Sequence, residues 1–282
     1  VLLFFVVSCG DKSAEGTKKS GDIIKIAVNL QSEPKSLDPQ LASDASGITI
    51  DSLIYEGLTR LDQEGKVVPA AAESWEISED GLKWVFHLRK DMKWANGDPV
   101  TAKDFAFGWL RALDPQTASE YAYELYYIKG AKEYNEGKGK REDVAIKTPD
   151  DNTLEIELNQ PTPYLLSLFS FPTYYPVNEK FYNEAGKDFS LSADKIMGNG
   201  PYAVKKWTPE KSILLAKNEN YWNKDNIHLD ELEIKMISDQ LAALNAFKNG
   251  ELDITELSGE QLIEYRDDKR LYSYNKGSIK FL

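Results

Sequence analysis

Hydrophobic positions change period along this chain, and each change marks an element. IIKIAV, residues 23–28, puts Ile24, Ile26 and Val28 on one face and predicts a strand. SEPKSLDPQ follows, an irregular stretch broken by Pro34 and Pro39. Ile50, Leu53, Ile54 and Leu58 then recur at the helical spacing. WEISEDGLKWVFHLR predicts a hairpin, with Ser78-Glu79-Asp80-Gly81 as its turn and Trp84, Phe86 and Leu88 on one side of the returning strand. Asn96-Gly97 marks another turn. Thr101, with Asp104 three residues on, predicts a capped helix that stacks Phe105, Trp109 and Leu113 until Asp114-Pro115 stops it. KGAKEYNEGKGKRED predicts a solvated loop, Leu154, Ile156 and Leu158 a strand, and Thr162-Pro163 a short apolar helix with proline at its first position.

The last third has another rhythm. Tyr202 and Val204, then Ile213 and Leu215, predict two strands around a TPEK turn. Leu232, Ile234 and Met236 predict a strand, Ser238 the cap of a helix over DQLAALNAFKNG closed by Gly250, and Leu252 with Ile254 the next strand. So short a strand–helix–strand crossover implies parallel pairing. The fold class is therefore α/β with mixed sheets. In open α/β sheets ligands collect beyond the carboxyl ends of the strands, here at Thr255 and Glu256.

Composition narrows the function. At 282 residues, 41% hydrophobic and 28% charged, the chain has room for about two domains. A net charge of −12 repels nucleic-acid phosphates and anionic headgroups, so neither is an expected partner. The one cysteine, Cys9, ends the apolar run VLLFFVVSC. The run is too short to span a bilayer, and no initiating Met precedes it, so the sequence is expected to start partway into the encoded protein. Small residue, cysteine and a polar Gly/Ser/Lys-rich tether follow in the order of a truncated signal segment and lipidation site. An N-terminal strand with an incidental Cys is the other reading.

Catalytic signals are thin. His87 and His228 sit on strand-like segments beside charged neighbours, and CxxC, HExxH, GxSxG, Walker and EF-hand motifs are absent from the sequence. GNG at 198–200 runs into Pro201 and a strand, so no helix N-terminus is expected there to hold a phosphate. Asp150-Asp151 reads as a turn. Trp75, Trp84, Trp94 and Trp109 are expected in the core. Tyr121 and Tyr123 lie in a loop, either facing a ligand or as ordinary surface aromatics. No catalytic residue, metal site or cofactor is expected.

The stretch EGLTRLDQEGKVVPAAAESWEISEDGLKWVFHLRKDMKWANGDPVTAKDFAFGWLRALDP is long and distinctive. With SLDPQ, GNGPYAVKKWTP, ENYWNK and GELDIT in order, it closely resembles the bacterial family 5 extracellular solute-binding proteins, in particular oligopeptide-binding lipoproteins of ABC importers. The resemblance implies a periplasmic-binding-protein-like fold with an extra domain, and a two-lobed clamp that presents an extended peptide to the permease subunits. By that comparison residues 1–20 are signal remnant, lipidation site and tether. Residues 21–55 and 181–277 form a split ligand-binding lobe, 56–180 an accessory domain, and 278–282 the start of a crossover to a missing second lobe. Ser43, Asp44 and Ala45 match the place where the family's backbone pairs with peptide main chain, as in strand addition. Tyr121 matches a cleft tyrosine, and Thr255, Glu256 and Leu257 fall on the cleft loop. Glu256, Leu257 and Ser258 stand where the enteric pattern has an aromatic and amides.

The implied protein is a monomer outside the cytoplasm, held to the membrane only by a lipid on Cys9. Alternatives are a lipid-anchored adhesin on the same scaffold, or a family member for dipeptides, nickel chelates or sugars. A hydrolase would need a nucleophile or acid pair that the sequence does not single out.

Overall fold

The structure, a computed structural model, describes residues 2–7 and 23–275. The initial apolar run is a strand, β1 (Leu2–Val7), and β2 (Lys25–Leu30) realises the alternation of Ile26 and Val28. Cys9, the tether and residues 278–282 lie outside the described residues.

Helix α1 (Ala45–Ile54) buries Ile50 and Ile54, but Leu58 lies beyond its end, because Tyr55 is already extended at φ −119 and ψ 166. The Leu58 carbonyl instead accepts from the N–H groups of Ala70 and Ala72, at 3.2 and 3.0 Å. Strands β3 (Thr59–Leu61) and β4 (Val67–Pro69) pair with each other, and β5 (Ala72–Ile77) with β6 (Lys83–Leu88) forms the expected hairpin. Its turn uses Gly81 at φ +71, a conformation that favours glycine.

Helix α2 (Ala102–Leu113) opens as its cap predicts: the Asp104 carboxylate accepts from the Thr101 N–H at 2.7 Å and its hydroxyl at 3.0 Å. The segment expected as a solvated loop instead holds a short helix, α3 (Ala131–Asn135). Ala131, Lys132 and Glu133 are good helix formers, and tertiary bonds fasten its end: Asn135 donates to the Leu113 carbonyl at 2.9 Å and accepts from the Tyr126 hydroxyl at 2.6 Å.

Strands β7 (Ile146–Asp150) and β8 (Thr153–Glu157) complete a four-stranded sheet in the order β5-β6-β8-β7. Helix α4 (Leu165–Leu168) starts after Tyr164, so Pro163 precedes it rather than opening it, and α5 (Glu179–Ala185) is capped by Asn178. Strands β9 (Tyr202–Thr208) and β10 (Ser212–Lys217) flank the TPEK turn. β11 (Glu231–Met236), α6 (Gln240–Lys248) and β12 (Ile254–Glu256) form the crossover, followed by α7 (Gly259–Tyr265) and β13 (Leu271–Asn275). Asp239 rather than Ser238 caps α6, accepting from the Ala242 N–H at 2.6 Å.

The larger sheet runs β13-β1-β12-β2-β11-β10-β9. β11 and β12 both pair parallel to β2, one on each side, so the crossover steps over β2 as its length required. β1 is antiparallel to both β12 and β13.

Packing groups the described residues into two units. The first takes the chain up to Glu33, Lys205–Ala216 and Ile227 onward; the second takes Pro34–Val204 and Lys217–Asn226. In the first unit α6 and α7 bury Leu244, Phe247 and Tyr265 against Leu252 and Leu257. The second has an aromatic core in which Trp109 stacks on Phe169 at 5.5 Å and donates its indole N–H to the Tyr174 carbonyl at 2.7 Å. Trp84, Trp94 and Trp109 are buried there, whereas Trp75 is only half-buried.

The second unit also buries a carboxyl group without compensation. Asp51 on α1 is fully buried, and neither oxygen has a hydrogen-bond partner among the described residues. Burial, reinforced by the charges of Asp38 and Asp44, raises its pKa well above the ordinary 3.8. A carboxyl whose folded pKa is raised carries no ionisation cost below its unfolded pKa. Its cost grows by about 1.4 kcal/mol per pH unit from there up to the folded pKa. Asp51→Asn, which keeps the shape of the protonated acid, is therefore expected to stabilise the fold at pH 8 and to leave it nearly unchanged at pH 3.5. Urea midpoints of both forms across that range check this, and an equal shift at both ends refutes it.

Candidate functional site

SLDPQ is held by a buried cation. Arg111 of α2 donates to Asp38 through both terminal nitrogens, one at 2.8 Å, and to the Gln40 side-chain oxygen at 2.7 Å. Gln40 in turn donates to the Tyr175 carbonyl at 3.1 Å. The guanidinium also lies 4.6 Å from the Tyr182 ring centre. This fixes the chain that leads into Ser43, Asp44 and Ala45.

Of those three, Asp44 has structural work: its carboxylate accepts from the N–H groups of Ser46, Gly47 and Lys35, at 3.1, 3.0 and 3.0 Å. Ala45 is exposed and is the first residue of α1. Ser43 is half-buried, and its own N–H and C=O make no hydrogen bond among the described residues. A main chain ordered on both sides yet unpaired itself can accept a second strand's amides.

Tyr121 precedes a 3₁₀ turn and is half-buried, its ring edge-on to Phe171 at 5.0 Å and tilted to Tyr123 at 5.9 Å. Tyr123 is 52% exposed. The ring of Tyr121 is thus held by neighbours rather than free, as an aromatic contact surface needs to be.

In the first unit Thr255 and Leu257 are buried, at 1% and 8% exposure, and Leu257 belongs to the packed core. Their side chains are withdrawn from the surface, and β12 is paired with β1 on one side and β2 on the other. Glu256, half-buried between them, ends β12 rather than lying past it, and its carboxylate accepts from the Gln31 side-chain amide at 3.0 Å. Gln31 was missed in the sequence. A polar residue directly after an apolar strand, at its carboxyl end, was the available signal.

Other candidates have structural partners. His87 pairs with Glu76 at 3.1 Å on the surface, and His228 is exposed. GNG is a close-packing clasp: a Cβ on Gly198 would stand 1.8 Å from the Ile54 carbonyl oxygen, and Gly200 donates its N–H to that oxygen at 2.9 Å. Asn199 accepts from the Glu56 N–H at 2.9 Å and donates to its carbonyl at 3.0 Å. The buried Glu56 carboxylate accepts from the Trp222 indole at 2.6 Å and from the Tyr221 hydroxyl, while Arg89 covers Trp222 at 3.8 Å. Burial raises the pKa of Glu56, and these two donors pull it back. Of two surface depressions in the second unit, of about 440 and 560 Å³, the second is lined by His87, Asp150 and Asp151, and neither is lined by Ser43, Asp44, Ala45 or Tyr121. Among the described residues no group of three or more His, Cys, Asp or Glu is placed to hold a metal, and no helix is long and apolar enough to cross a membrane.

The mixed sheet with its crossover and the hairpin-bearing second unit define a periplasmic-binding-protein type of α/β fold. Residues 66–282 match the family model for bacterial extracellular solute-binding proteins, family 5, and the chain belongs to that family. It is 40% identical to the oligopeptide-binding protein OppA of Bacillus subtilis over 96% of this chain and 52% of that protein. It is 37% identical to the dipeptide-binding protein DppE of the same organism, over 99% and 52%. Listeria monocytogenes OppA bound to peptide superposes with a TM-score of 0.85 at 37% identity, covering 89% of this chain and 49% of that one. The chain thus spans about half the length of the relatives it matches.

The glycine clasp gives a test. Gly198→Ala is expected to cost about 2 kcal/mol or more, because its new methyl meets backbone that cannot rotate away. A urea midpoint equal to that of the parent protein would show that Ile54 yields.

Proposed function

We propose that this chain is part of a receptor that captures extended oligopeptides outside the cytoplasm and delivers them to the permease of an ABC importer. The observation that carries the reading is the half-buried, unpaired main chain of Ser43, set between the Arg111-fastened SLDPQ and the cap of α1, in a member of family 5. Main-chain pairing grips any sequence alike, which suits a carrier of mixed peptides. Ser43, Asp44, Ala45 and Tyr121 are the contacts proposed in the second unit, with Asp44 acting by positioning. In the first unit Glu256 acts by side chain, and Thr255 and Leu257 act by positioning it. In this reading residues 21–55 and 181–277 are the ligand-binding lobe and 56–180 the accessory domain. The protein acts as a monomer and performs no chemistry on its ligand. A lipid on Cys9 holds it at the cell envelope.

The likeness to DppE favours dipeptides as the second reading. Titration calorimetry on the full-length protein separates the two: tri- to pentapeptides are expected to bind and dipeptides to bind more weakly. Tight binding of dipeptides alone reverses the choice, and heat from neither class refutes peptide capture. For the anchor, Cys9→Ala is expected to move the protein from the membrane fraction to the soluble one. Unmodified Cys9 in the mass spectrum of the native protein would dismiss the lipid.

A further inference from the structure

Three parallel strands, β11, β2 and β12, end side by side in the first unit, and polar side chains stitch their carboxyl ends together. Asn29 donates to the Ile237 carbonyl and accepts from its N–H, both at 3.0 Å, joining β2 to β11. Gln31 donates to one carboxylate oxygen of Glu256 at 3.0 Å, joining β2 to β12. The second bond differs in kind, since it orients a charge without neutralising it. Elsewhere in the same sheet Glu231 is paired with Lys205 at 2.6 Å and Glu233 with Lys25 at 3.1 Å. Among the described residues Glu256 has no such cation, and its other oxygen takes no hydrogen bond. The side chain is half-buried, between Thr255 and Leu257, which both turn inward. A carboxylate partly withdrawn from water, fixed by a neutral amide and left with a free oxygen, gains most from an incoming cation.

We propose that Glu256 is a specificity-determining residue that selects peptides carrying a lysine or arginine side chain at the position facing it. This rests on the peptide-binding reading above. It uses a charge that has no cation among the described residues and stands at the strand ends, where α/β sheets gather ligands. The net charge of −12 acts in the same direction, concentrating cationic ligands near the surface and depleting anionic ones.

The test is a scan of tetra-alanine in which one position at a time carries lysine, glutamine or glutamate, titrated into the full-length protein. At one position lysine is expected to bind about fivefold more tightly than glutamine, and glutamate more weakly than either. The gap should narrow as salt is raised. Glu256→Gln is expected to bring the lysine-to-glutamine ratio at that position to about one, and Glu256→Lys to turn the preference toward glutamate. An unchanged ratio in Glu256→Gln at every position overturns the proposal and leaves peptide capture standing. If none of the peptides binds, the capture reading falls and the proposal falls with it.

Discussion

The second unit is organised around one charged contact, the guanidinium of Arg111 against Asp38 and Gln40. Asp38 is 3% and Arg111 7% exposed, so neither charge keeps its water. The desolvation is offset because the bonds to Asp38 and Gln40 are short and the Tyr182 ring covers a face. Removing one partner from such a pair typically costs about 3–5 kcal/mol, since the other is left charged and dry. The geometry also ties α2 to an otherwise irregular stretch of chain. Without it, Pro34 to Ala42 would have few backbone bonds to hold it, and the approach to α1 would be undefined.

Much of this architecture was legible from hydrophobic period alone. The hairpin of β5 and β6, the capped α2 and the parallel crossover over β2 each follow from a local rule with no competitor. The failures share a cause. Leu58 fits the helical spacing of α1, yet the chain turns extended at Tyr55 because the Leu58 carbonyl is needed by Ala70 and Ala72. The charged segment that holds α3 carries no apolar stripe, and its helix is fastened where Asn135 finds partners at Leu113 and Tyr126. In both cases contacts distant in sequence take part, and spacing does not encode them.

The candidate residues divide in the same way. Strand-end position singled out Thr255 and Glu256, and a loop Tyr121 and Tyr123, but neither signal pointed to Gln31, whose bond to Glu256 exists only because two parallel strands end together. GNG, set aside as a phosphate loop because a strand follows it, is a clasp. Its glycines are required by the Ile54 carbonyl, and its asparagine by both main-chain groups of Glu56. ENYWNK likewise supplies the tyrosine and tryptophan that close over the Glu56 carboxylate. The motifs that carry the family resemblance are therefore mostly fastenings of the scaffold, and resemblance at such positions speaks to fold more directly than to ligand.

Helix α1 is secured at both ends. Asp44 ties its start to Lys35, and the Ile54 carbonyl at its finish is gripped by Gly200 while Gly198 packs against it. The backbone of Ser43 is consequently preorganised: it has surrendered its freedom during folding rather than at the moment of encounter. If a peptide strand pairs there as proposed, it has little left to immobilise on the protein side, and a larger share of each amide pairing survives as net affinity.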